Sequence, residues 1–239
     1  MKLTRRVHWI SGIWGSGVWG ANVYLLVDND LTLVDTGCKG RAPQILKEVR
    51  RLGYSPSDIA NIIITHHHAD HVGSLAMLKE ITGAKVIAHT ADAPYIDGRL
   101  PQPGPPVPRW LGKLLTPWHQ LWSTPPVAVD VMVRGEDELP INGNIKILHT
   151  PGHTPGSISL FLQEEGLVIV GDVLANRFGL KLPAKAFTVD LDQEISSIKR
   201  VASLDFDIIC FGHGSPLDKA RPLITNFAER LERNYRKPS

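Results

Sequence analysis

Residues 61–71 read Asn61-Ile62-Ile63-Ile64-Thr65-His66-His67-His68-Ala69-Asp70-His71, and this stretch governs how the rest of the chain is understood. Its first half is a short apolar, β-branched run, the pattern of a buried strand. That strand delivers the chain directly into four histidines and an aspartate, so the histidines sit on a strand-end loop. In extended backbone, alternate side chains share a side, so His66 and His68 can converge on one cation while His67 points away. Asp70 and His71 then reach elsewhere, towards a second ion. Imidazole nitrogen and carboxylate oxygen are the donors that divalent metals such as zinc take, and a catalytic site leaves one position open for water or substrate. The arrangement differs from the helical H-E-x-x-H site, whose ligands share a helix face.

On either side of this run the chain alternates strand and helix. Residues 22–27 and 31–34 read as strands around a turn at Asp28-Asn29-Asp30. Residues 42–52 place Ile45, Leu46, Val49 and Leu52 at helical spacing ahead of Gly53. Residues 72–81 repeat that period, and 85–88 form another strand. A Pro- and Trp-rich insertion at about 94–126 carries Trp110, Trp118 and Trp122. Beyond it, 127–133, 145–149, 157–162, 167–170 and 206–210 read as strands, and 191–204 and 217–235 as helices. Each half is strand-rich first and helical later, which suits packed sheets with helices outside. A single α/β domain over 1–239 is the expectation, a four-layer αββα sandwich.

Three further polar residues each follow an apolar strand and sit beside glycine: His153 in Thr150-Pro151-Gly152-His153-Thr154-Pro155-Gly156, Asp172 in Gly171-Asp172, and His213 in Gly212-His213-Gly214. Strand-end loops are where a fold gathers ligands from distant parts of the chain. From Asp35 to His213, these segments resemble in order the metal-binding motifs of the metallo-β-lactamase superfamily. The resemblance implies that His66, His68 and His153 hold a first metal, that Asp70, His71 and His213 hold a second, and that Asp172 bridges them. It also implies that Asp35, in Val34-Asp35-Thr36-Gly37, braces the histidine loop.

The same resemblance carries implications for function. Typical zinc β-lactamases of the superfamily carry a cysteine where this chain has Asp172, which disfavours antibiotic hydrolysis. The closer likeness is to branches that cleave esters, lactones and thioesters. Glyoxalase thioesterases add a helical glutathione-binding region, whereas here the sequence ends at Ser239, so a glutathione thioester is not expected. Quorum-signal lactonases have a tyrosine shortly after the bridging aspartate, and this chain reads Asp172-Val173-Leu174-Ala175. The expected enzyme is a hydrolase with two divalent ions, zinc first, with manganese, iron or cobalt compatible with the same donors. A hydroxide shared by the metals would attack the carbonyl of a small-molecule acyl substrate, with Asp70 shuttling a proton and Asp172 holding the ions together. The competing readings are a phosphodiesterase or nuclease, an iron-dependent persulfide or oxygen enzyme, and a catalytically silent metal-binding module.

Composition narrows the partners. The formal net charge is +2, and no basic, aromatic-interleaved patch occurs, so nucleic acid is not an expected partner. Two cysteines, Cys38 and Cys210, lie far apart without C-x-x-C spacing, which speaks against a disulfide framework. No apolar run approaches the ~20 residues of a membrane span. The glycine-broken stretch 11–20 is unlike a signal peptide, so a cytoplasmic location is expected. Trp14 and Trp19, with the tryptophans of the insertion, are candidates for a substrate wall, a lid or a homodimer contact. His8, His89, His119 and His149 have no ligand-like setting.

Overall fold

The computed structural model describes residues 1–10, 20–103, 124–141 and 143–235. A six-stranded sheet runs in chain order: β1 (Val7–Ile10), β2 (Val23–Val27), β3 (Leu31–Val34), β4 (Ile59–Ile63), β5 (Lys85–His89) and β6 (Val131–Val133). Its first three strands are antiparallel neighbours, and β3 to β6 are parallel. Helices α1 (Ala42–Arg51), α2 (Ala69–Val72), α3 (Leu75–Thr82) and α4 (Ala93–Ile96) lie in the connections between the parallel strands. The second sheet has the order β13 (Ile208–Cys210), β10 (Leu167–Ile169), β9 (Ile158–Leu162), β8 (Ile145–His149), β7 (Glu138–Leu139). A small hairpin, β11 (Ala175–Asn176) and β12 (Leu180–Lys181), stands apart from both. Helices α5 (Leu191–Ala202) and α6 (Arg221–Tyr235) complete the second half.

Strand alternation builds three apolar interfaces from these two sheets. Val23, Leu25, Leu31, Leu33, Ile62 and Val86 face α1 and α3, against Ile45, Leu46, Val49 and Leu78. The intervening Tyr24, Leu26, Val34 and Ile63 face the other sheet, meeting Ile145, Ile147, Leu160 and Ile169. The outer face of the second sheet packs Val168, Ile209 and Phe211 on Ile198 and Val201 of α5 and on Ile224 and Leu231 of α6. Each such aliphatic side chain contributes about 1.5–3 kcal/mol by leaving water. The result is helices, sheet, sheet, helices, as expected. Local signals agree with the layers: Pro43 opens α1, Arg50 and Arg51 close it, and the Asp190 carboxylate caps α5 by accepting from Gln193 N at 3.0 Å.

Several elements differ from the sequence expectation for physical reasons. The helix expected over 72–81 is two, α2 and α3, so Asp70 and His71 lie on a helical turn rather than a loop. The break falls at Gly73, where a Cβ would collide with the backbone of Cys38 and Lys39, and Ser74 Oγ is tied to Cys38 O at 2.7 Å. The strand expected over 127–133 survives only as β6. The closing helix starts at Arg221, because Leu217 is held in a bridge with Ile209. β1 is an addition to the expected elements; it pairs Val7 with Leu26 and Ile10 with Val23. Trp14, Trp19, Trp110, Trp118, Trp122 and His119 fall outside the described residues. Among the described residues no helix is long and apolar enough to cross a membrane.

Candidate metal centre

The loops that leave the ends of β3, β4, β5, β8 and β13 gather at one edge of the paired sheets, together with Gly171-Asp172 just beyond β10. There the seven nominated residues come together in three overlapping groups: His66, His68 and His153; His66, His71 and Asp172; and Asp70, His71 and His213. Within each group the donor atoms all lie within 4.8 Å of one another. His153 Nε2 is 2.9 Å from His68 Nδ1, and His213 Nε2 is 3.1 Å from Asp70 Oδ2 and 3.2 Å from Asp172 Oδ2. Asp172 Oδ1 is also 3.5 Å from His71 Nε2, so its carboxylate faces both halves of the cluster. Gly212 makes that approach possible, since a Cβ there would occupy the place of Asp172 Oδ1.

The chemistry of this donor set fits divalent metal. His66 Nε2, His71 Nε2 and Asp172 Oδ1 are buried without a hydrogen-bond partner, although buried polar atoms are ordinarily paired. Two imidazole nitrogens facing each other at 2.9 Å, as in His68 and His153, are likewise an arrangement that a cation satisfies. Protonation states divide the cluster. Burial, then the neighbouring imidazoles, hold His66 well below the usual range and bring His68 down to about 3. Burial also lowers His153 to about 4. These three are neutral, with the free lone pair that a metal ligand needs. Burial opposes charge on His213 too, but Asp172 and Asp70 outweigh it and push that imidazole up to about 10. Burial of His71 is outweighed in the same way, chiefly by Asp35, and its value is raised. Burial opposes ionisation of Asp70 and Asp172, yet the His71 and His213 imidazoles hold both carboxylates far below their ordinary value.

A ring of braces surrounds the donors. Asp35 accepts from Thr65 N at 2.8 Å, from Thr65 Oγ1 at 2.8 Å and from His71 Nδ1 at 2.7 Å, leaving His71 Nε2 to face the cluster. Sequence reasoning missed a counterpart, Asp92, in the loop beyond β5. It accepts from His67 N, Thr154 Oγ1 and Gly156 N at 2.7–2.9 Å, and so ties the loop after β4 to the loop after β8. His67 lies with Nδ1 2.9 Å from Asp92 Oδ2 and its ring stacked on Tyr95. Asn22 and Tyr24 bond to the loop that carries His213. Glu194 of α5 is fully buried behind Gly152; burial and the Asp172 charge push its carboxyl up to about 9. His89 and His149 stack on each other at 4.1 Å away from the donor groups.

Above the cluster opens a cavity of about 670 Å³. Tyr95, Leu182, Pro183, Phe187 and Val189 give it an apolar wall, and Arg177 and Lys181 add cations from the β11–β12 hairpin and its flank. Neither cation has a carboxylate partner among the described residues; the Arg177 guanidinium touches the His213 ring.

Residues 16–213 match the family described as the metallo-beta-lactamase superfamily. The chain belongs to that superfamily. A solved relative in fold, a metallo-beta-lactamase family protein from Thermus thermophilus, superposes with a TM-score of 0.75 at 22% identity, covering 97% of this chain and 81% of that one. Within the superfamily, the chain is 29% identical to the probable metallo-hydrolase YflN of Bacillus subtilis (strain 168), over 92% of its own length and 91% of that protein. It is 26% identical to a hydroxyacylglutathione hydrolase of Chelativorans sp. (strain BNC1), matching 74% of this chain and 56% of that protein, so it spans about half of that relative. Membership supports a metal-dependent hydrolase, and the clustered histidines and aspartates are the candidate metal-binding residues of this superfamily member.

Proposed function

We propose that this superfamily member hydrolyses a small ester, lactone or thioester with a pair of divalent ions, zinc first. The observation that carries the reading is the convergence of seven donors, three of their atoms buried and unpartnered, beneath a cavity with an apolar wall. His66, His68 and His153 would hold one ion, Asp70, His71 and His213 the other, with Asp172 shared. When bound, such ions supply Lewis acidity for a carbonyl oxygen and lower the pKa of coordinated water towards neutrality.

The chain's own residues supply orientation and exclusion of water. Asp70, ionised beside His213 and lining the cavity, would relay a proton from the attacking water to the departing alkoxide or thiolate. Phe187, Val189 and Leu182 would receive an acyl chain and keep bulk water from the reacting carbonyl. Arg177 and Lys181 favour a substrate that carries an anionic group away from the scissile bond. The hydroxyacylglutathione hydrolase among the relatives supports a thioester as one member of the class. Rates on a thioester, an aryl ester, a lactone and a phosphodiester, measured beside metal content, test the proposal. Carbonyl turnover that depends on bound metal is expected; turnover confined to the phosphodiester would overturn it.

A further inference from the structure

We infer that Asn22 and Tyr24 are positioning residues for His213, acting on the second ion of the proposed pair and not the first. The inference rests on the proposed two-ion site.

β13 ends at Cys210, and the backbone then carries Phe211 to Gly214 through the interior, bridged at its far end to Asn176 of β11, whose N bonds to His213 O at 3.0 Å. Buried carbonyls in such a segment need donors, and one left unpaired costs about 1–3 kcal/mol. The donors to Phe211 O, Gly212 O and Gly214 O come from the other half of the chain. Asn22 N bonds to Gly212 O at 2.7 Å, and Asn22 Nδ2 bonds to Phe211 O at 3.0 Å and to Gly214 O at 2.7 Å. Tyr24 OH adds a bond to Phe211 O at 2.7 Å, which uses both acceptor positions of that carbonyl. Both side chains are fully buried. The same segment also addresses the ring: His213 Nδ1 is 3.1 Å from Gly20 O and touches the Arg177 guanidinium, while Nε2 faces Asp70.

The consequence is selective. Asp70 and His71 follow β4 of the first sheet, whereas His213 follows β13 of the second. Asn22 and Tyr24, at the start of β2, register the His213 loop against the sheet that supplies its fellow ligands. His66, His68 and His153 are instead steadied by Thr65 and by the Asp92 clamp. Amide geometry is required at position 22, because a carboxylate of the same size would set oxygen against two carbonyl oxygens.

The test measures stepwise dissociation constants for Zn²⁺ by competition with a chromophoric chelator, on wild type, Asn22→Asp and Tyr24→Phe. Outer partners of metal ligands typically change affinity by about 10–100-fold. Asn22→Asp is expected to weaken the second ion by about that factor with the first unchanged. Tyr24→Phe, which keeps the packing and removes the hydroxyl's bonds to Phe211 O and Asn22 Nδ2, should shift the second ion a few-fold in the same direction. In metal-free protein, the Gly212 and Gly214 amides should exchange with deuterium faster in both variants than in wild type. Unchanged second-ion affinity, or equal weakening of both ions, overturns the inference. If Asn22→Asp does not fold, Tyr24→Phe decides by the same criteria. A wild type that binds fewer than two ions defeats the two-ion reading instead, and amide exchange in metal-free protein then still decides whether Asn22 and Tyr24 hold the loop.

Discussion

Replacing Asp35 with asparagine should weaken binding of the second ion while leaving the fold in place. The Asp35 carboxylate is 2% exposed and accepts three hydrogen bonds, from Thr65 N, Thr65 Oγ1 and His71 Nδ1. Its backbone sits at φ 60°, a conformation that asparagine adopts as readily as aspartate, so the substitution adds no backbone strain. Asparagine can still accept from Thr65 N. Its amide then points N–H at the Nδ1–H of His71, and the charge-assisted bond, worth about 1.5–3 kcal/mol, is lost. At about 1.4 kcal/mol per decade this corresponds to roughly 10–100-fold weaker binding at the ion that His71 holds. Asp35→Ala goes further, leaving three buried donors unpaired at about 1–3 kcal/mol each, a loss comparable to the whole stability of a typical domain. Chelator competition on Asp35→Asn, with circular dichroism as the check on folding, reads the effect. Second-ion affinity within about two-fold of wild type would refute the bracing role.

Three other outcomes are expected. Gly156→Ala places a Cβ 2.5 Å from Asp92 Oδ1, so it should lower stability by about 1–3 kcal/mol, read as a reduced melting temperature, and should loosen the first ion; a melting curve identical to wild type would contradict the Asp92 clamp. Glu194 has a folded value of about 9 against an ordinary 4.5, so the folded state binds its proton more tightly. Its stabilising contribution is therefore complete below about pH 4.5 and lost as pH rises through about 9; the melting temperature of metal-free protein should fall across that window, and Glu194→Gln should flatten the slope. Lys181→Ala should raise KM for an acyl substrate bearing a carboxylate, leave kcat nearly unchanged, and leave a neutral ester unaffected; equal effects on both substrates would remove the anionic-group reading.

The parts legible in the sequence are those with a strong local signature. The apolar run 61–65 ending in His66 to His71 locates β4 and the first donors, and the glycines beside His153, Asp172 and His213 mark the other strand ends. The αββα layering follows from the alternation of strand and helix along the two halves. Features made by contact between distant segments are not legible. Asp92 looks like any polar residue ahead of a short helix, and its partners Thr154 and Gly156 lie more than 60 residues away. Asn22 and Tyr24 read simply as strand residues, because their partners begin at Phe211. Strands of two residues, such as β11 and β12, are too short to show a period, so the wall carrying Arg177 and Lys181 leaves no pattern in the sequence. Thr65, which joins Asp35 to His66, reads as the last residue of a strand.

Turnover at this site should depend on two bound ions. The decisive experiment is a titration of metal-free protein with Zn²⁺, following aryl ester and thioester hydrolysis together with ions bound per chain. Activity should be absent without metal, should rise with loading and should be complete at about two ions per chain, the stoichiometry of a paired-metal hydrolytic site. Undiminished hydrolysis by the metal-free protein would contradict a metal-dependent mechanism outright.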